Sequence, residues 1–502
     1  MKKILLIIVS VALLSSCEGF LNELPKHNWA VENTMTNYNN AVQSVNGIYQ
    51  RFVIGDNINM ALNTSLAGKS GFMKNLGSYD LTYTQTSGNN TSIWSTAYSA
   101  INACNLAING IPSVPDASFP TATSRNELIG EARCLRGYMH SLLLFHYSRW
   151  YMDDSDPYGI IYRDKVADAD NIHIGRSTIG ESWKYVLDDL DFAIENMSDK
   201  FETPRKVSKV FAKAYKAKLL LIRGSMRNSD QDLRDAKTLI DDVISTLPAS
   251  LKMEADMAQL FENSWDSKEN IFVRYLEDNS SRTTNAGYWC EYGLSYNAAT
   301  KCLQNGVEVP HEDAVCGVSY GLDWIKADPR FFIATGKARN AETWDDSYSW
   351  TWTKIYRKGR YAGKLSPVDE KYAVYYMRIP ELYIMQAELR ARTGASVSDA
   401  IAPINTMRSK RTNPVLPTLA PKDKDELMEL IFKEYVNELI LENGSEFFAS
   451  IRFQKDGKYY IELAKETDGI SYDKTRLQWA IPNDEMINNR ALNSESQNPG
   501  QN

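Results

Sequence analysis

Residues 178–197 read Thr-Ile-Gly-Glu-Ser-Trp-Lys-Tyr-Val-Leu-Asp-Asp-Leu-Asp-Phe-Ala-Ile-Glu-Asn-Met, and this stretch decides the fold class. Thr178 and Glu181 stand at the spacing of a capping box, in which each side chain satisfies a backbone N–H otherwise left without a partner at a helix start. Trp183, Val186, Leu187, Leu190, Ala193, Ile194 and Met197 then recur at three- and four-residue intervals, so a helix here carries one apolar face. Moving outward, Ser124 and Glu127 open a second such segment, with Ile129, Ala132, Leu135, Tyr138, Met139, Leu142, Leu143 and His146 on its stripe. His146 is expected in the core or at its boundary. A third helix is predicted from Ser208 to Gly224, with the glycine as its stop, and a fourth carries Ala236, Leu239, Ile240, Val243, Ile244 and Leu247. Near the far end, Ile379, Leu382, Tyr383 and Leu389 form a helix stopping at Gly394. Ser398 is expected to cap another with Ile401, Ile404 and Met407, and Leu427 to Glu442 a last one ended by Gly444.

Short helices in consecutive pairs predict a mostly α protein, a tetratricopeptide-like helical-pair solenoid with long irregular loop insertions, although no strict 34-residue period holds. The pattern lapses twice. Residues 55–92 are rich in Gly, Asn, Ser and Thr, and residues 251–376 mix the same types with aromatics, without a sustained stripe. We therefore expect a leader at 1–16 and a single domain at 17–502. Its helical scaffold spans about 36–250 and 377–445, with a loop-rich insertion at about 251–376 and a C-terminal tail at 446–502. A long insertion in a compact protein is usually functional.

The chain starts with Lys2, Lys3 and an apolar run from Ile4 to Leu14, followed by Leu14-Ser15-Ser16-Cys17. The run falls short of the roughly 20 apolar residues that cross a bilayer, and it reads as a secretory signal. Its end resembles a bacterial lipobox, which makes Cys17 the expected lipidation site and tethers the mature chain through several acyl groups. Hydrophobic residues at 43% and charged residues at 24% are globular values, and a net charge of −7 without a Lys/Arg block argues against nucleic acid as partner. Lipidation of Cys17 leaves five of the six cysteines, an odd number. Cys104 and Cys134 fall on apolar helix sides and read as core. Cys290, Cys302 and Cys316 share one irregular stretch in which a local disulfide is open, its pairing undetermined.

Catalytic and cofactor signatures are poor. Asn63-x-x-x-x-Gly68-Lys69-Ser70 nearly matches a phosphate-binding loop but has Asn where a glycine makes the turn. There is no nucleophile elbow, and His311-Glu312-Asp313 offers one histidine after a proline. The five histidines are scattered, so neither a metal nor a cofactor is expected. Paired carboxylates for glycoside hydrolysis stay open, because 63 Asp and Glu single out no pair.

Binding asks for other chemistry. A sugar has apolar ring faces and a hydroxyl rim, so its site needs aromatic platforms beside polar side chains. Tyr288, Trp289, Tyr292 and Tyr296 lie in one glycine-bounded stretch, and Tyr79 and Tyr83, with Asn89 and Asn90, lie just before Trp94. These eight are the candidate ligand-binding residues, Trp289 first among them. Trp324, Trp344, Trp350 and Trp352 are weaker candidates that fit strand or core equally well, and Trp94 and Trp183 belong to helical stripes. The alternative for all of them is packing of the loops onto the scaffold.

Several motifs now converge. Ala41–Arg51 (AVQSVNGIYQR), Trp94-x-x-x-Tyr98-x-x-Ile101-x-x-x-Asn105 and Gly130-Glu131-Ala132-Arg133-x-Leu135-Arg136-Gly137-Tyr138 are followed by Asp328-Pro329-Arg330. Then come Met377-Arg378-Ile379-Pro380-Glu381-Leu382-Tyr383, Ile404-Asn405-x-x-Arg408, Ile481-Pro482 and Gln497-Asn498-Pro499-Gly500. In this order, and over essentially the whole chain, they resemble the SusD/RagB family of Bacteroidetes outer-membrane nutrient-binding lipoproteins. The chain departs at Lys433–Leu439, where the family is rich in Glu-Arg-Arg, and at Gln501, where Tyr is common. The resemblance implies a ligand site made by the loop ahead of the Trp94 helix and loops of the insertion. It also implies glycan capture without catalysis, and delivery to a SusC-like TonB-dependent transporter in the outer membrane. Glu18 and Glu23 resemble the acidic residues that route such lipoproteins to the cell surface, as a solvated linker would too. Alternatives left open are peptide cargo on the same scaffold, a lipid-anchored glycoside hydrolase, and an adaptor using the solenoid groove.

Overall fold

The computed structural model describes residues 35–54, 66–73, 84–276, 303–304, 307–308, 310–339, 348–352, 354 and 372–501. The scaffold begins with α1 (Tyr38–Ile54), α2 (Gly88–Gly110), α3 (Ser124–Tyr147), α4 (Ile179–Asn196), α5 (Lys209–Arg227) and α6 (Asp230–Ser245). It resumes with α7 (Ile379–Arg392), α8 (Val397–Ser409) and α9 (Lys424–Leu439). Each of these helices packs on the next, α6 on α7 included, so the stack runs on across the insertion. The result is mostly helical and in keeping with the helical-pair scaffold expected from the periodicity.

The capping box of α4 forms as its spacing predicts: Glu181 N donates to Thr178 Oγ1 at 3.2 Å and Thr178 N to Glu181 Oε2 at 2.8 Å. Other helix ends depart from the sequence reading. Ser124 is the first helical residue of α3, with Thr123 before it donating to Glu127 Oε1 at 2.8 Å. α5 runs past Gly224 to Arg227 and stops at Asn228, which takes the left-handed conformation with φ 55°. Gly224 instead admits a neighbour, because a Cβ there would sit 2.9 Å from that of Asp232 at the start of α6. α8 is capped by Ser396, not Ser398, and α9 starts behind Asp423 and ends at Leu439. Gly444, with φ +67°, precedes a short helix at Ser445–Ser450.

The insertion is closed by strands that the helical reading did not contain. β1 (Asn270–Leu276) pairs antiparallel with β4 (Tyr372–Arg378), and β2 (Thr335–Arg339) with β3 (Tyr348–Trp352). Ile271, Phe272 and Val273 are all buried, so β1 lacks the polar alternation that marks a half-exposed strand. Because β1 and β4 are partners, the chain leaves the scaffold and returns to it at one place.

That place is held by buried charge. Arg378, at the end of β4, donates to Glu442 and, at 2.7 Å, to Glu269 just before β1. Arg411 also reaches Glu269, and meets Glu438 of α9 at 2.7 Å. Arg330 bonds Asp328 at 2.8 Å, Glu434 at 2.9 Å and Glu438 at 3.1 Å, and Arg408 of α8 completes Glu434. Lys354 binds Glu442 at 2.7 Å. Five cations thus face five carboxylates, mutually compensated as buried charges must be. Despite burial, the arginines and Lys354 hold the Glu438 and Glu442 carboxyls below the usual range. Among the described residues no helix is long and apolar enough to cross a membrane.

Candidate functional site

The two irregular stretches meet. Met73 and Val318 form an antiparallel bridge, and Ser319 N donates to Phe72 O at 3.0 Å, which ties the first stretch to the insertion. Phe72 is buried, edge-on to Tyr320 at 5.5 Å and to Trp324 at 6.3 Å. Both flanks of the first stretch also rest on the tail. Lys69 donates to Leu477 O, Asn90 Nδ2 to Ala480 O at 2.9 Å, and Asn483 N to Gln85 O at 3.1 Å.

Lys69 is the lysine of the near-match to a phosphate loop, and its surroundings rule out that role in this conformation. Its ammonium is buried over the rings of Phe447 and Trp479, at 5.2 and 4.9 Å. Burial, then the nearby Lys465, push it well below the usual lysine range.

Of the eight candidate ligand residues, Asn89 and Asn90 lie within the described structure, side by side in the first turn of α2. Asn89 is exposed. Asn90 is buried, its Nδ2 donating to Thr84 O at 3.0 Å as well as to Ala480 O, while its backbone carbonyl accepts from Tyr147 Oη at 2.9 Å. Tyr79, Tyr83, Tyr288, Trp289, Tyr292 and Tyr296 lie outside the described residues, as do Cys17, Trp344, Cys290 and Cys302. Trp94 and Trp183 are core residues, as their helical stripes predict, and Trp350 and Trp352 are buried on β3. Cys104 and Cys134 are buried in the helical core, where burial pushes both thiols up.

The described part of the insertion adds Phe332, which the sequence reading did not name, and places it beside His311, weighed there only as a catalytic or metal candidate, and Trp350, one of the weaker ligand candidates. His311 stacks flat on Trp350, with centroids 4.2 Å apart and planes at 5°. Phe332 meets the imidazole edge-on at 5.1 Å and is 42% exposed, a large apolar side chain left open to solvent. Glu312 and Asp313 beside them are exposed. The signal was present in sequence, since Phe332 follows the Asp328-Pro329-Arg330 motif that roots this segment in the scaffold, but nothing local marks the ring as outward-facing. The carboxylates that the fold does gather, Glu434, Glu438 and Glu442, are buried and salt-bridged. They are spent on structure.

The fold class is thus a mostly helical scaffold carrying an insertion rooted by Asp328, Arg330 and Arg378. The chain matches two family models, "Starch-binding associating with outer membrane" over residues 19–221 and "SusD family" over residues 331–500. It belongs to the SusD family. SusD-like protein P2 of Formosa agariphila is 24% identical over 403 residues, covering 75% of this chain and 74% of that protein. A SusD-like protein of Bacteroides ovatus is 22% identical over 433 residues, covering 80% and 74%. Among solved structures, a SusD superfamily protein of Bacteroides thetaiotaomicron aligns with a TM-score of 0.66 at 18% identity, over 92% of this chain and 99% of that one. A laminarin-binding SusD-like protein aligns with the same score at 18% identity, over 93% and 100%. Likenesses at this identity establish the shared fold.

Proposed function

We propose that this protein is a cell-surface lipoprotein, anchored through Cys17, that captures an oligosaccharide and passes it unchanged to a SusC-like TonB-dependent transporter. The observation that carries the reading is the Met73–Val318 bridge. It joins residue 73 of the first stretch to residue 318 of the insertion, which supports the reading that one ligand draws on both stretches, through Tyr79 and Tyr83 of the one and Tyr288, Trp289, Tyr292 and Tyr296 of the other. Family membership and the laminarin-binding relative support a glycan as cargo. A capture protein needs only modest affinity, and several aromatics at about 1 kcal/mol each beyond area burial supply it together.

The test is isothermal titration of the full chain, kept in detergent micelles, against defined plant, host and microbial oligosaccharides, with chromatography of the sugar afterwards. Saturable binding to one glycan class, weakened in Trp289→Ala and leaving the sugar intact, is expected. Cleavage of the sugar would overturn the capture reading in favour of a hydrolase. Binding of peptides in place of every glycan would replace the cargo.

A further inference from the structure

The near-match to a phosphate loop has another use in this fold. Gly68, Lys69 and Ser70 turn their polar groups inward, with Gly68 O accepting from Lys465 Nζ at 2.9 Å and Ser70 Oγ donating to Ala67 O. The segment lies close against the tail helix at Tyr460–Thr467, since a Cβ at Gly71, whose φ is +84°, would fall 2.8 Å from that of Ala464. Residues 66–73 thereby fasten the start of the first irregular stretch to the tail and, through Phe72 and Met73, to the insertion.

Lys69 is wholly buried in this contact. An ammonium has three protons to donate, and Lys69 has one hydrogen-bond acceptor among the described residues, Leu477 O. The faces of Phe447 and Trp479 favour a cation. Burial outweighs them and Lys465 adds repulsion, so the neutral amine is the favoured form here. His146 stacks on Trp479 with centroids 4.7 Å apart, and burial, then Lys69, hold it below the usual histidine range. The titratable groups acting on the amine are thus Lys465 on the tail and His146 on α3, both bases, and among the described residues no carboxylate joins them. Once the segment leaves the tail, water solvates the ammonium and Lys69 returns to its ordinary value near 10.5. Opening therefore takes up a proton: closure is favoured in full above that value and weakens as pH falls below it.

We propose that Lys69 is the positioning residue of the first ligand stretch, a proton-sensitive latch whose amine fastens residues 66–73 to the tail and releases them on taking up a proton. What the latch positions rests on the glycan-capture reading, since Tyr79 and Tyr83 come next in the chain.

The experiment follows amide hydrogen exchange of the full chain in detergent micelles at pH 7, 8 and 9, read at Gly71 and Met73, whose amides donate to Gly68 O and Ala67 O. After correction for the intrinsic rate, opening is expected to become about tenfold more frequent for each unit of pH lost. Lys69→Met should abolish that dependence. Gly71→Ala, which crowds Ala464 and leaves the amine in place, should raise opening equally at every pH and keep the slope. Laminarihexaose, maltohexaose and cellohexaose are then added in turn, and the one that binds, at ten times its Kd, should slow exchange of both amides about tenfold. Opening independent of pH in the wild type, or an undiminished slope in Lys69→Met, overturns the latch and leaves glycan capture standing. Exchange unchanged by a bound glycan overturns the positioning role. Binding of none of the three removes the ligand that the latch would position and overturns that role too, while the pH slope still decides the latch by itself.

Discussion

Arg378 forks onto Glu442, with Nε and Nη2 donating to the two carboxylate oxygens at 2.7 and 2.8 Å. One residue ends the strand that returns the insertion to the scaffold, and the other follows α9. Their pairing is parallel and bidentate, the strongest form of a charge-assisted bond. It is also fully buried, which makes its loss expensive even though forming it from water gains little.

Replacing Arg378 by Met strands Glu442 and Glu269 without their shared cation. Urea unfolding should show a loss of about 3–5 kcal/mol, the range for removing one partner of a buried pair. Glu442 keeps Lys354 at 2.7 Å in that variant, so Glu442→Met should cost less in the Arg378→Met background than in the wild type, the difference measuring the bidentate pair. Strictly additive losses would show that the pair is not an energetic unit.

Glu446 behaves oppositely to its neighbours in the charge network. Burial pushes its carboxyl up to about 7, from about 4.5 in the unfolded chain, against the opposing pull of its own backbone N–H and that of Leu441, which donates at 3.3 Å. The folded state therefore holds this proton more tightly than the unfolded one. Its contribution to stability is full below pH 4.5, declines as pH rises, and is lost above about 7. Glu446→Gln should leave stability near pH 4.5 unchanged and raise it at pH 8 by up to about 3 kcal/mol. Denaturant titrations at the two pH values check this, and an equal effect at both would refute it. Glu438 and Glu442, held low by their arginines, give stability that is present at neutral pH and lost on acidification.

Asn90 and Asn89 separate two roles that look alike in sequence. Asn90→Ala removes two buried donors, to Thr84 O and Ala480 O, and should cost about 1–3 kcal/mol. Asn89→Ala, at an exposed position, should change stability by less than about 0.5 kcal/mol. Chemical denaturation of both variants distinguishes them, and equal losses would contradict the packing described for Asn90.

The helices were legible because their information is local. Trp183, Val186 and Leu190 face the core for the same reason that they recur at helical spacing, and Thr178 and Glu181 cap α4 as their spacing demands. Helix ends were less legible. Gly224 resembles a stop until α6 is laid against it, and Ser396 and Ser398 are chemically equivalent caps until the backbone turns at one of them.

Sequence alone determined the scaffold type, the family resemblance and the stretches that carry the aromatics, since all three are written in short-range pattern and order. Only the tertiary structure decided what the family motifs do. Arg330, Arg378, Arg408 and Arg411, dispersed over more than eighty positions, become one charge network with Glu269, Glu434, Glu438 and Glu442. It decided as well that Asn90 turns inward while Phe332 turns outward. The physical reason is the same in each case: burial and charge pairing depend on which distant segments share a neighbourhood, and no window of sequence contains that distance.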